Sequence, residues 1–409
     1  MEVNGSAIQQ LLMRMNTLCD HLSESEGGAS SIPYSLTQLL EIAAEHSASS
    51  LYISAGSPPE LRINGALSVI ESAPLTKADC SQLLNTICNR ELKARLYSTG
   101  QIETCISCSG SAFRVFVHLE RGQMCAAFRR FRTDIPKLEN LGLSGSVIEN
   151  ALSSQNGLIL ITGLPRSGKV NTLASMISHI NTSRLCRIVT LERPIDFWHY
   201  SMSGTLLQRE IGIDTPSFAE GAKQALNQDA DVIGISQISD KETLLAALKA
   251  CSRGKLVIGI LDAQTSVSAL QRIIKSLNAS EEGGKLLDTF ANSLRLVVHQ
   301  TLVNRVDGRG VIPAFELLVG IQEITDELRQ GNTDNIVSIM EQRSMQTLGK
   351  SIARLLSGGT ISEAEALQYV SAENLQNVQS QSQSTSEYES KPMDPSTLED
   401  TDTPLMGWL

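Results

Sequence analysis

An apolar run, GLILIT (Gly157–Thr162), leads straight into GLPRSGKVN (Gly163–Asn171), and a helix-patterned stretch, NTLASMISHINTS, overlaps and follows it. The spacing G-x-x-x-x-G-K is that of a phosphate-binding loop, normally closed by Ser or Thr. The bare spacing arises by chance in roughly one chain in ten of this length, so placement decides. A buried-type strand before the loop and a helix after it direct backbone N–H groups and a helix N-terminus at one anion. Gly163, Gly168 and Lys169 fit this scheme, with Arg166, Ser167 and Asn171 filling the loop, but Val170 stands where the hydroxyl belongs. That hydroxyl ordinarily ligates the Mg²⁺ that bridges the β- and γ-phosphates. Arg166 adds charge and bulk, and Thr172 lies one residue beyond the expected pair, too far along to serve the metal.

From Gly157 onward, apolar runs (GLILIT, CRIVTL, ADVIGI, KLVIGIL, LRLVVHQTLV) alternate with helical patterns. This predicts an α/β fold with a mainly parallel sheet covered on both faces. The region from Val311 to Val370 reads as helical, with Gly358-Gly359 as a turn. Upstream, residues 33–150 read as a mixed α+β block. A helix starts near Tyr34, strands flank an Asn64-Gly65 turn, one helical segment runs through residues 76–99, and further strands include SAFRVFVHLERG and MCAAFRRFR. Residues 1–32 read as a flexible arm. Residues 373–409 are Gln/Ser-rich and then acidic, a composition that predicts disorder, before the apolar end PLMGWL, which reads either as an inert tail or as a docking peptide.

The net charge of −10 argues against unselective binding to nucleic acid or anionic membrane. No apolar run is long enough to span a bilayer, and no signal peptide is visible; the expectation is a cytoplasmic protein. The eight cysteines are scattered, as expected for reduced thiols. Cys105 and Cys108 have metal-ligand spacing but no second pair, so they read as small residues on a strand near a turn, and no metal site is assigned.

GLILITGLPRSGKVNTLASMISHIN, RIVTLERPIDFWH, LLQREIGIDTPSFAEGAKQALNQDADVIGISQISDKET and GKLVIGILDAQTS occur in that order. Together they resemble the PilT-like pilus-retraction ATPases of the type II/type IV secretion ATPase superfamily. SAGSPPELRINGAL, FRVFVHLERG and IPKLENLGL resemble that family's PAS-like N-terminal domain, and MQTLGKSIARLLSGGTIS its C-terminal helices. The resemblance implies a RecA-like P-loop core over residues 151–372, with ATP bound between the two domains. It also implies a homo-hexameric ring, or a mixed ring with an intact relative, working on inner-membrane platform proteins of a pilus or secretion machine, with no nucleic-acid partner. Arg114, Arg121 and Arg129 match N-terminal-domain arginines that reach the nucleotide in the family, although each also reads as a solvated strand charge.

The departures fall on the chemistry. The acidic box E-D-P is Glu192-Arg193-Pro194 here, and the glutamate that primes water is Gln237, which can hydrogen-bond water but not take its proton. The two histidines of the family's histidine box match Lys255 and Asp262, and the retraction motif is reduced to EITDELR, Glu323–Arg329. Glu192 and Asp231 keep acidic positions expected near the site, with Asp231 alternatively capping a strand edge. Three readings stay open. One is a ring subunit that binds ATP but hydrolyses it poorly or not at all, with Mg²⁺ lacking its usual ligand. The second is a working motor with unusual site residues. The third is a non-enzymatic adaptor that recruits partners through its tail.

Overall fold

The computed structural model describes residues 33–370 other than 64, 280, 281 and 309. The expected N-terminal arm, the acidic tail and the PLMGWL end lie outside the described residues. Two compact units emerge. Described residues up to Thr133, together with Asp196–Trp198, form the first; Asp134–Ile195 and the described residues from His199 onward form the second.

In the first unit, helix Leu36–Glu45 starts on a capping box in which Ser35 and Gln38 satisfy each other's backbone N–H. Strands β1 (Ser50–Ile53), β2 (Glu60–Ile63), β3 (Ala66–Val69), β4 (Gln101–Cys108), β5 (Ser111–Glu120) and β6 (Gln123–Arg130) form a sheet of order β3-β2-β1-β6-β5-β4. Every pairing in it is antiparallel. Alternate residues of β5 (Phe113, Val115, Val117) pack with Leu39, Leu40, Leu84 and Leu96 of the helices, as a half-buried sheet requires. β5 and β6 turn through Arg121 and Gly122, both at positive φ (52° and 76°), with Glu120 opposite Gln123, the backbone a two-residue hairpin needs. The segment expected as one helix over 76–99 is two, Lys77–Asn85 and Arg90–Thr99. Asn89 breaks it, because its side chain accepts from Leu92 N and starts a new helix.

The second unit is a RecA-like α/β core. Its strands are β7 (Gly157–Gly163), β8 (Arg187–Glu192), β9 (Thr205–Glu210), β10 (Val232–Ile235), β11 (Leu256–Asp262), β12 (Leu294–Asn304) and β13 (Val311–Val319), in the order β13-β12-β7-β11-β10-β8-β9. All pairings are parallel except β12 with β13. Leu158 and Leu160 belong to one core and Ile159 and Ile161 to another. β7 is therefore buried on both faces, which is why it reads as an unbroken apolar run.

The sequence places the domain boundary near residue 150, whereas the compact units meet at Thr133 and Asp134. Leu138, Leu143, Ile148, Ala151 and Leu152 pack with Ile159 and Ile161, so this linking stretch belongs to the second core. The expected helical region also begins too early, because Val311–Val319 is the edge strand β13, paired antiparallel with β12. Pro313 is tolerated there because an edge strand has one side free of ladder bonds. No helix among the described residues is long and apolar enough to cross a membrane.

Candidate phosphate-binding site

The loop is shaped by what lies beneath it. At Gly163 (φ 150°) a Cβ would sit 2.4 Å from Gln300 O and 2.5 Å from Ser167 Oγ; at Gly168 (φ 86°) it would sit 2.7 Å from Gln300 Nε2. Both glycines are thus required by close approach to β12 as well as by backbone conformation. Arg166 takes a left-handed φ of 67° and is exposed. Helix Lys169–Ser183 begins without a side-chain cap, which leaves its first-turn N–H groups for an anion.

Lys169 is buried, at 6% exposure. Its Nζ donates to Gly163 O (3.0 Å) and Leu164 O (2.5 Å), and it pairs with Asp262 Oδ1 at 3.1 Å. Val170 packs its side chain against the core beside β7 and offers no oxygen. Asn171 is half-buried. Thr172 is fully buried, and its hydroxyl donates to Gln300 Oε1 at 2.5 Å; that bond points it into the protein rather than toward a metal. These residues fit a phosphate, but the helix start lacks the oxygen that would hold Mg²⁺ from the loop.

Gln300 and its neighbour His299 escaped the sequence reading. The only signal is two polar residues in the middle of the apolar run LRLVVHQTLV. His299 Nδ1 lies 3.1 Å from Thr162 Oγ1. Burial lowers its pKa, Lys169 adds to that, and Glu316 opposes it, so the ring is neutral at neutral pH.

Parallel strands bring their carboxyl ends to one edge of the sheet, where ligands of such folds bind. Gly163 ends β7 and Asp262 ends β11, in register. Glu192 ends β8, buried, its Oε1 accepting from Thr190 Oγ1 (2.6 Å) and Gln208 Nε2 (3.0 Å), with buried Glu210 opposite it in register on β9. Arg193 is exposed, and its backbone N–H donates to Ser236 Oγ at 3.2 Å. Gln237 is exposed, two residues past β10.

Two expected site positions belong elsewhere. Lys255 precedes β11, whose seven residues span about 20 Å, so it lies at the opposite edge from the loop. There it pairs with Asp229 Oδ1 at 2.9 Å and approaches Asp231 Oδ1 at 4.0 Å. Asp231 is at the same far edge, its Oδ2 accepting from Arg187 N at 2.9 Å. It caps a strand edge rather than joining the site. Only Asp262, of the two residues matched to the family's histidines, is beside the loop.

The three arginines are in the first unit. Arg114 pairs with Glu103 Oε1 at 2.6 Å, and its guanidinium lies 5.4 Å from the Phe131 ring centre. Arg129 is opposite it in register and 5.6 Å from the Phe116 ring centre. Arg121, at the hairpin turn, is seven residues further along, about 23 Å for extended chain. The sheet brings together the first two and leaves the third apart. In the second unit, the shortened motif Glu323–Arg329 falls within helix Gln322–Arg329, where Arg329 is held by Asp326 (3.0 Å) and Asp288 (3.3 Å). Cys105 and Cys108 lie on β4, which ends where a turn leads into β5.

The Type II/IV secretion system protein family matches residues 25–384. The type IV pilus retractation ATPase PilT of Pseudomonas aeruginosa is 31% identical over 335 residues, covering 81% of this chain and 96% of that protein. The type IV pilus ATPase PilU of the same organism is 29% identical, covering 82% and 89%. A crystal structure of the pilus retraction motor PilT with bound ADP superimposes with a TM-score of 0.68 at 29% identity, covering 83% of this chain and 97% of that one. The strand–loop–helix at Gly163–Asn171 sits inside a match that spans most of the chain, and the protein belongs to the Type II/IV secretion system protein family.

Proposed function

We propose that this chain is a PilT-like ring subunit of a type IV pilus or type II secretion apparatus, cytoplasmic and seated at an inner-membrane platform. In this reading it binds ATP or ADP through the Gly163–Asn171 loop and hydrolyses ATP slowly or not at all. The observation that carries the reading lies at one sheet edge. The glycine-shaped loop and buried Lys169 are kept, while Val170 replaces the metal-binding hydroxyl and Gln237 the carboxylate. A bound nucleotide would set its phosphates on the first-turn N–H groups of helix Lys169–Ser183, with Lys169 supplying the neutralising charge. Thr172 cannot replace the missing hydroxyl while its own is bonded to Gln300. Gln237 can orient water but takes no proton, and losing a general base typically costs about 10²–10⁴ in rate.

A working motor with unusual site residues is the second reading, favoured by the buried Glu192 carboxylate retained at the same edge. Steady-state ATP turnover with Mg²⁺, beside ATP binding in EDTA, separates the two. The expected result is binding that Lys169→Ala abolishes, with turnover no higher than that variant's background. Brisk Mg²⁺-dependent turnover that disappears in Lys169→Ala would overturn the first reading in favour of the second.

A further inference from the structure

Asp262 and Lys169 form a contact that the phosphate loop's chemistry does not require. The ammonium of Lys169 is already surrounded by acceptors: Gly163 O, Leu164 O, the Asp262 carboxylate and, at 3.5 Å, Ser167 Oγ. All but the carboxylate belong to the loop itself. The Asp262 carboxylate is a full negative charge within 3.1 Å of the lysine, in the place where a phosphate oxygen would be neutralised. Its position is fixed by rigid elements. Asp262 pairs in register with Gly163, Ala263 N donates to Gly163 O at 3.3 Å, and Arg272 Nη1 donates to Asp262 O at 3.0 Å. The lysine is buried while the carboxylate is half-exposed, with side-chain exposures of 7% and 50%. The pair is therefore anchored on the lysine side and open to solvent on the other.

We propose that Asp262 is a resident counter-anion of the loop, an autoinhibitory latch that competes with the phosphates of a nucleoside di- or triphosphate for Lys169. The inference rests on the reading of Gly163–Asn171 as a nucleotide-binding loop. An incoming phosphate gains the lysine only by displacing the carboxylate or by accepting its repulsion. Neutralising Asp262 while keeping its shape therefore tightens binding. Because the carboxylate is half in water, screening limits the effect to about two- to fivefold.

The experiment measures the Kd of ADP and of inorganic pyrophosphate, in EDTA, for the full chain and for Asp262→Asn, Asp262→Ala and Lys169→Ala, and for Asp262→Asn combined with Lys169→Ala. The expected result is about two- to fivefold tighter binding of both probes in either Asp262 variant, and no such gain when Lys169 is absent. Binding by the unaltered chain that stays the same or weakens in the Asp262 variants overturns the latch and leaves the nucleotide reading standing. A gain that persists without Lys169 likewise overturns it. Absence of binding in the unaltered chain and in both Asp262 variants overturns the nucleotide reading and the latch together.

Discussion

His199 is buried at 9% exposure, with its backbone N–H donating to Gln208 Oε1 at 2.8 Å. Burial pushes the ring's pKa down from 6.5 to about 4. Between those values the unfolded chain binds a proton that the folded chain refuses. His199 therefore costs nothing above pH 6.5, its penalty grows as pH falls toward 4, and it levels off below that. A shift of this size corresponds to about 3 kcal/mol at most. Urea unfolding at pH 7.5 and pH 4.5 should show the native chain losing about 2–3 kcal/mol more than His199→Asn; equal losses would refute the assignment. At this scale the sequence is readable where a local shape depends on a few adjacent residues, as with the loop that holds Gly163, Gly168 and Lys169. It is silent where a partner comes from another strand, as Gln300 does for Thr172. It misleads where two residues of one motif, Lys255 and Asp262, end up at opposite ends of β11.

The elements tell a similar story about burial. The five strands visible as apolar runs are the interior five of the seven-stranded sheet, and the two that were missed, β9 and β13, are its edges. An interior parallel strand has both faces covered, so composition alone marks it. TLLQRE and VIPAFELLV carry polar residues or proline because an edge tolerates them, and local pattern then fails. The same contrast sets the cost of substitution. Leu160, fully buried in β7, should lose about 2–5 kcal/mol as Leu160→Ala. Leu67 on edge strand β3, whose four residues are all exposed, should change by less than about 0.5 kcal/mol as Leu67→Ser. Chemical denaturation of the two variants side by side checks the ordering, and a comparable loss at Leu67 would mean that β3 is covered in solution.

For the molecule as a whole, the first unit is not a continuous segment. Residues Asp196–Trp198, more than sixty positions after Thr133 in the sequence, complete it. Phe197 is 1% exposed and forms a parallel bridge with Arg132, whose guanidinium lies 4.3 Å from its ring centre. Trp198 N donates to Arg132 O at 2.9 Å, and its ring lies 5.4 Å from that of Phe131. Removing a buried phenylalanine alone costs about 3–5 kcal/mol, against a total of about 5–15 kcal/mol for a whole domain. A fragment of residues 33–133 therefore keeps the six strands but lacks a large share of its stability. For a domain of about a hundred residues each kcal/mol shifts Tm by about 4–8 °C, so 3 kcal/mol corresponds to roughly 12–24 °C. The fragment should melt in a broad transition far below that of the first unit in the full chain, and it should bind a hydrophobic dye through the uncovered Phe131. Full-chain Phe197→Ala should move the first unit's transition in the same direction. A sharp transition in the fragment, with a midpoint matching the full chain's, would mean that the returning segment contributes little and that the first unit stands on the sequence before Asp134 alone.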